Sequence, residues 1–245
     1  MEISNDELMS EFSALVATLQ ANLPSSAPMF LSNVNDPCRA LHLREACLHR
    51  VTELAESSLD AFKKNNNVAG YLLARAIMET VALFIYFLDK TEDAVASGDV
   101  KQIQEVLTHM LIGTKSKMIG AGIKKAFEDA GEEIPNSKLL DPIHVMDLIK
   151  HVSQKIPPYA QIYDFLSEVA HPNALGLVRT YVKIDWAQKI AYFGKEHGEL
   201  GSHLESDLET IVLVLRIFII RYNESAVMLE KLQHICEETS RISPT

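Results

Sequence analysis

Two opposite charges stand alone in an otherwise uncharged stretch of the chain. Arg75 and Glu79 are the only formally charged residues between Lys64 and Asp89, and a spacing of four residues places both on the same face of a helix. A charge that is buried without a partner or water is very costly. Two interpretations therefore stay open: a structural ion pair that fixes the register of the helix, or part of a ligand-binding or catalytic cleft.

A second polar stripe occurs later in the chain. Tyr163, Ser167 and His171 follow one another at intervals of four residues, so they share a face of one helix. The proline that follows ends that helix, and a histidine at a helix end is most often a cap or an exposed residue. The functional alternative is that His171 meets Arg75 and Glu79, where its imidazole would act as an acid or a base near neutral pH.

These two segments resemble an uncharacterised bacterial family of helical proteins. That family carries an Arg-x-x-x-Glu helix, matched here by Arg75 and Glu79, and a Tyr-x-x-Leu-Ser-x-x-x-His-Pro helix, matched from Tyr163 to Pro172. The likeness extends in layout over residues 40–235 and about fifteen positions carry it. The chain also has a remote resemblance to the HEPN superfamily of helical bundles. That resemblance implies a homodimer that works in bacterial stress or defence systems.

Active members of the HEPN superfamily cleave RNA without a metal, and they use an arginine followed by a histidine on one helix. The literal match in this chain runs from Arg44 to His49. It lies on an early helix, and Glu45 stands where a small polar residue is typical of the superfamily. This departure favours a module that binds a ligand or partner over one that cleaves RNA.

Two function hypotheses result. The first is a helical binding or regulatory module without catalytic activity. The alternative is a metal-independent ribonuclease whose site is the polar cluster rather than the literal motif. In that alternative His171 would act as acid and base and Arg75 would stabilise the phosphorane charge. Glu79 and Ser167 would orient these two groups, with Tyr163 beside them.

The charge of the chain limits its partners. The 245 residues carry a net charge of -10, which disfavours general binding to nucleic acid or to an anionic membrane. One basic cluster stands out and consists of Lys115, Lys117, Lys124 and Lys125. Such a cluster is usually solvated surface, and the alternative is a binding site for RNA or a nucleotide-like ligand.

Cysteine usage and hydropathy predict a cytoplasmic protein. Three cysteines without a Cys-x-x-Cys spacing argue against a disulfide framework or a zinc site, and no cofactor or metal is predicted. The N-terminal residues are acidic where a signal peptide would be basic. The longest apolar stretches, Val81–Leu88 and Ile211–Ile220, fall short of the roughly 20 residues that a membrane span needs.

The elements that must position these residues are mostly helical. Ser4 and Glu7 form a capping box for the first helix, and Asp36 followed by proline opens the second. A third helix is expected at 68–89, and it is apolar nearly all round. Further helices are expected within 91–111, at 123–130, from Asp141-Pro142 onward, from Pro158 to His171, and from the capping box of Ser202 and Glu205 to about residue 238.

One segment departs from helical spacing. Between residues 178 and 193 apolar side chains alternate with polar ones, which predicts a small β-hairpin. The predicted fold is therefore an all-α helical bundle with long central and C-terminal helices and this hairpin as an insertion. The whole chain, 1–245, is expected to form a single domain, with an N-terminal helix and loop at 1–35 and the bundle core at 36–240.

Overall fold

The computed structural model describes residues 4–27, 35–129, 131, 136–198 and 204–242. Within these ranges the chain is helical apart from loops and one two-stranded antiparallel hairpin, so the predicted all-α fold is confirmed. The α-helices are α1 (Asn5–Ala21), α2 (Asn35–Lys63), α3 (Asn67–Ser97), α4 (Val100–Ile112), α5 (Lys117–Asp129), α6 (Val145–Ser153), α7 (Pro158–Ala170) and α8 (Leu204–Ile242). A 3-10 turn at Ser137–Leu140 precedes α6, a π-helical turn at Ala174–Arg179 follows α7, and the hairpin strands are β1 (Val182–Asp185) and β2 (Ile190–Phe193).

Local capping chemistry sets several helix ends where the sequence predicts them. Glu7 donates its backbone N–H to Ser4 Oγ at 3.4 Å, and Ser4 returns its own N–H to Glu7 Oε2 at 2.9 Å. The proline that begins α7 and the cap at His171 also lie at their predicted positions. The capping box predicted at Ser202 lies outside the described residues.

Two other helix boundaries differ from the prediction. α3 continues past Asp89 to Ser97, because His151 donates to Asp89 Oδ2 at 2.7 Å and the charge can stay inside the helix. α5 begins at Lys117, six residues before its predicted start.

The prediction of a helix start at Asp141 is wrong. α6 begins only at Val145. The ring of His109, in the last turn of α4, donates to the backbone carbonyl of Asp141 at 2.7 Å, and Thr114 donates its N–H to the carbonyl of Leu140 at 2.9 Å. These bonds hold the segment against the end of α4 and keep it out of a helix. The backbone of Asp141 is therefore bonded within a loop, although its side chain is of the type that often caps a helix.

The chain divides into two compact units. Unit 1 comprises residues 1–23, 47–81 and 152–221, and unit 2 comprises residues 24–46, 82–151 and 222–245. The long helices α2, α3 and α8 each contribute residues to both units. The expectation that the chain is one domain stays a prediction.

The core of unit 1 is built on aromatic side chains. Phe62, Tyr71 and Phe165 meet edge to face, with ring centroids 5.3 and 6.0 Å apart, which is a favoured geometry for aromatic pairs. Gly70 permits this packing, because a Cβ there would lie 2.6 Å from the Phe62 ring. Tyr159 is fully buried and donates its hydroxyl to the carbonyl of Met78 at 2.7 Å. These contacts fix α7 against α3.

The core of unit 2 combines apolar packing with buried polar contacts. Its fully buried side chains include Phe84 and Phe87 on α3 and Ile103 and Leu107 on α4. The members of each pair are three or four residues apart, as on the buried face of a helix. Arg39 donates to the hydroxyl of Thr108 at 3.1 Å, which ties α2 to α4.

Among the described residues, one helix is long and apolar enough to cross a membrane by length and composition. It is α3, whose most apolar window has a mean hydropathy of 1.7 and is 56% buried inside the protein. The core helix of a globular protein has the same length and composition. The predicted cytoplasmic location stays a prediction.

Candidate functional site

Arg75, Glu79 and Tyr163 form one hydrogen-bonded cluster in unit 1. Arg75 donates from Nε to Glu79 Oε1 at 3.2 Å and from Nη2 to the Tyr163 hydroxyl at 3.0 Å. Tyr163 donates that hydroxyl to Glu79 Oε1 at 2.8 Å. The tyrosine is buried, while 27% of the Arg75 side chain and 29% of the Glu79 side chain are exposed. The cluster is thus an ion pair at the edge of the core, bridged by a buried hydroxyl.

The electrostatics of this cluster keep its tyrosine protonated. Burial raises the pKa of Tyr163, and the Glu79 carboxylate acts in the same direction while Arg75 opposes it. Burial also raises the pKa of Tyr159, with the Glu79 charge as a smaller cause. Both phenols are neutral donors at physiological pH. In this arrangement Tyr163 and Arg75 hold the Glu79 carboxylate in place, and neither phenol is prepared to act as a base.

Ser167 and His171 lie on the same helix but do not join the cluster. Ser167 donates its hydroxyl to the backbone carbonyl of Tyr163 at 2.8 Å, which is a bond within the helix. His171 caps α7 through its backbone N–H, and its side chain is exposed. His171 stands eight positions after Tyr163, which is about 12 Å along the helix axis. Among the described residues no hydrogen bond or ion pair joins the His171 side chain to Arg75 or Glu79.

The loop after His171 is built by its neighbours. Asn173 accepts the N–H groups of Leu175 and Gly176 at 3.0 and 2.9 Å, which starts the π-helical turn. Gly176 is required there because a Cβ would lie 2.1 Å from the carbonyl oxygen of His171. The chain thus turns tightly at His171 and leaves the imidazole at the surface.

Unit 2 contains a second cluster of similar composition that sequence reasoning did not find. Arg44 donates to the Tyr222 hydroxyl at 2.8 Å and to Ser225 Oγ at 2.7 Å, and it forms an ion pair with Glu45. Tyr222 donates to Glu45 Oε2 at 2.7 Å, and the Arg44 guanidinium lies 3.6 Å from the centre of its ring. Burial raises the pKa of Tyr222, and Glu45 adds to the effect. Both charged side chains are only 13% exposed.

This second cluster changes how the literal HEPN match is interpreted. The Arg44 guanidinium is held by Tyr222, Ser225 and Glu45, so its donors are used inside the protein. Such an arginine stabilises the fold and has little capacity left for a substrate phosphate. No signal in a single sequence pairs Arg44 with Tyr222, which lies 178 residues further along the chain.

Three of the four predicted lysines line a pocket in unit 2. Lys115, Lys117 and Lys124 line it at the start of α5 with Thr114 and Ser116, and residues 140–142 also line it. The cavity volume is about 490 Å³. Lys125 does not line the pocket. Ser116 caps α5 by accepting the Ile119 N–H at 3.3 Å on its hydroxyl.

A second, smaller pocket lies in unit 1 and is mainly apolar. Side chains of α3, α7 and α8 enclose about 230 Å³, and Asp207 stands in its wall. Tyr71 donates its hydroxyl to Asp207 Oδ2 at 2.5 Å, and burial with this carboxylate raises the pKa of Tyr71. This volume is below the range of typical ligand pockets.

The fold and these clusters define an all-α helical protein with two arginine–tyrosine–carboxylate clusters and a lysine-lined pocket. Among the described residues no group of three or more His, Cys, Asp or Glu side chains is placed to hold a metal. No protein-family model, no curated protein and no solved structure matches the chain. What it does must therefore be inferred from its own geometry.

Proposed function

We propose that this protein is a helical binding module whose unit 2 takes a phosphate-bearing, nucleotide-like ligand at the start of α5. The observation that carries the proposal is the convergence of Lys115, Lys117 and Lys124 on one pocket. The resemblance to helical bacterial proteins would put such a module in stress or defence regulation.

The local charge supports an anionic ligand. Residues 114–125 contain four lysines and no acidic residue, in a chain whose net charge is -10. The first N–H groups of a helix have no acceptor within that helix, and together with the helix dipole they favour anions. Lys115 and Lys117 are beside this end of α5, and Lys124, about two turns further along the helix, lines the same pocket. A phosphate group there would accept hydrogen bonds from the free backbone N–H groups of the helix and from the lysine ammonium groups.

The size of the pocket and the carboxylate in its lining support a nucleotide-like ligand. A volume of about 490 Å³ lies within the range of sites for small organic ligands. Asp141 also lines the pocket, and its carboxylate would accept hydrogen bonds from sugar hydroxyls. A bare phosphate would leave most of the pocket unfilled.

The geometry in unit 1 supports binding over cleavage. A ribonuclease at the predicted cluster requires His171 beside Arg75 and Glu79, and no hydrogen bond or ion pair of the described residues joins them. Arg75 and Glu79 instead satisfy each other and Tyr163. The ribonuclease therefore remains the alternative, and it needs its own test.

Isothermal titration calorimetry with ADP and with pyrophosphate tests the proposal. We expect the natural protein to bind ADP, and we expect Lys117→Ala and Lys124→Ala each to weaken binding about tenfold. Lys125→Ala is the matched control, since it removes the same charge from the same helix outside the pocket. Absence of binding at millimolar ADP would refute the proposal. An equal loss in Lys125→Ala would show general attraction to a basic surface instead of a site.

A further inference from the structure

The β-hairpin in unit 1 exposes an apolar face. The register pairs Val182 with Phe193 and Ile184 with Ala191, and side chains directly opposite each other lie on the same face of a sheet. One face of the hairpin is therefore entirely apolar. Phe193 is 72% exposed and Trp186, at the start of the turn, is 81% exposed. Exposed apolar residues that adjoin one another on one face mark interaction sites more often than scattered single ones do.

The hairpin also has an unpaired edge. Among the described residues the sheet has only β1 and β2, so the outer side of β1 pairs with no other strand. A two-stranded hairpin is marginal by itself in water, and added strands stabilise it. Edges are usually blunted by proline, a bulge, a cover or charged side chains that repel a like strand; residues 182–185 contain no proline, and their two charges, Lys183 and Asp185, are of opposite sign. The β1 edge can therefore accept a strand that places an acid opposite Lys183 and a base opposite Asp185.

The sequence of β1 is complementary to itself in an antiparallel pair. If two copies of β1 pair about Ile184, the two Ile184 side chains face each other. Lys183 of one copy then lies opposite Asp185 of the other, and this pair occurs twice. Val182 of each copy lies beside Trp186 of the second copy. Charges meet opposite charges on one face and apolar groups meet apolar groups on the other, which is the pattern that stabilises cross-strand neighbours.

We propose that β1 is a self-association edge, and that two copies of this chain join through it into a four-stranded antiparallel sheet with two-fold symmetry. A two-fold interface requires a surface complementary to itself, and the Lys183–Ile184–Asp185 order supplies that property. Asp185 Oδ1 accepts the Gln188 N–H at 2.9 Å, and Oδ2 is the oxygen that would meet Lys183 of the second copy.

The other occupants fit this edge less well. Single-stranded nucleic acid would stack on Trp186 and Phe193, but it would leave Ile184 without a partner and would face the Asp185 carboxylate. Trp186 and Phe193, at 81% and 72% exposed, are also of the aromatic type that is enriched in contacts between proteins. A second copy supplies the matching charge at each position.

Charge reversal tests the proposed register. Lys183→Asp places two acidic residues opposite each other in both pairs, and Asp185→Lys places two lysines there. We expect sedimentation equilibrium at about 100 µM to show a dimer for the natural protein. Each single variant should have a dissociation constant raised about tenfold or more. An equimolar mixture of the two variants restores both Lys–Asp pairs, so the mixture should dimerise as well as the natural protein.

The control is Lys189→Asp, which makes the same charge change in the turn. Lys189 has φ 55°, a conformation that aspartate tolerates, so this variant should keep the dimer. A natural protein that is monomeric at about 100 µM overturns the proposal, as does a dimer that neither variant weakens. A monomer that shifts a fluorescein-labelled oligouridine would assign the exposed aromatics to nucleic acid instead.

Discussion

The Tyr163 hydroxyl donates to Glu79 Oε1 across 2.8 Å, and this bond joins α7 to the one acidic side chain in the apolar half of α3. The same hydroxyl accepts from Arg75, so the phenol bridges both members of the ion pair. The relationship explains why a charged pair is tolerated at the edge of the core. It also makes the contribution of the bridge measurable.

Tyr163→Phe removes the bridge and leaves the ring. We expect the free energy of unfolding to fall by about 1–2 kcal/mol, because a hydrogen bond to a charged group is lost while the packing stays. Urea denaturation followed by circular dichroism measures the difference. Tyr181→Phe is the control, since Tyr181 is exposed and its loss should change stability by less than about 0.5 kcal/mol. Equal effects of the two substitutions would contradict the bridging role.

The two arginine clusters should differ in their contribution to stability. Arg44→Met leaves Glu45 without its ion-pair partner where the pair is 13% exposed, and we expect a loss of about 3–5 kcal/mol. Arg75→Met should cost less, about 1–2 kcal/mol, because 29% of Glu79 is exposed and water can solvate it. Guanidinium denaturation of both variants measures the two losses in the free energy of unfolding. The reverse order would show that Arg75 is the structural arginine.

The spacing of four residues explains why part of the site is predictable and part is not. Arg75 with Glu79, and Tyr163 with Ser167, lie on shared helix faces that the sequence alone defines. That Tyr163 reaches Arg75, and that Arg44 reaches Tyr222, depends on how distant helices pack, and one sequence contains no signal for it. The wrong prediction of a helix start at Asp141 has the same origin. His109, which is distant in sequence, donates to the backbone carbonyl of Asp141, and a helix that began there would use this carbonyl.

Stability should depend on alkaline pH through Cys47. Burial raises the pKa of the Cys47 thiol to about 12 from an ordinary value of 9.0. The folded protein therefore keeps a proton that the unfolded chain releases, so this contribution is present below pH 9 and is lost as pH rises towards 12. Urea denaturation at pH 8, 9 and 10 should show a smaller decline for Cys47→Ala than for the natural protein. An equal decline in the free energy of unfolding in the two proteins would show that other groups, such as the tyrosines, dominate its dependence on alkaline pH.

The ribonuclease alternative makes a separate prediction. We expect no cleavage of a mixed RNA pool in EDTA by the natural protein, because the exposed His171 side chain makes no hydrogen bond or ion pair with Arg75 or Glu79 among the described residues. Denaturing gel electrophoresis after incubation measures it. Cleavage that His171→Ala abolishes, with both proteins folded, would instead assign an acid–base role to this histidine. Cleavage that persists in His171→Ala would point to a contaminating nuclease.

Ligand binding at the lysine pocket should also slow hydrogen exchange in α5. No residue of α5 is buried, so little packing opposes opening of this helix and its amides should exchange quickly. A ligand that binds only the closed helix stabilises it by mass action, and pyrophosphate at 100 times its dissociation constant should slow exchange about 100-fold. The effect should be largest at Met118 and Ile119, in the first turn beside the lysines.

Lys117→Ala should lose this protection at the same pyrophosphate concentration, and Lys125→Ala should keep it. Protection spread evenly over α8 and α5 would mean that the anion stabilises the whole protein rather than this pocket.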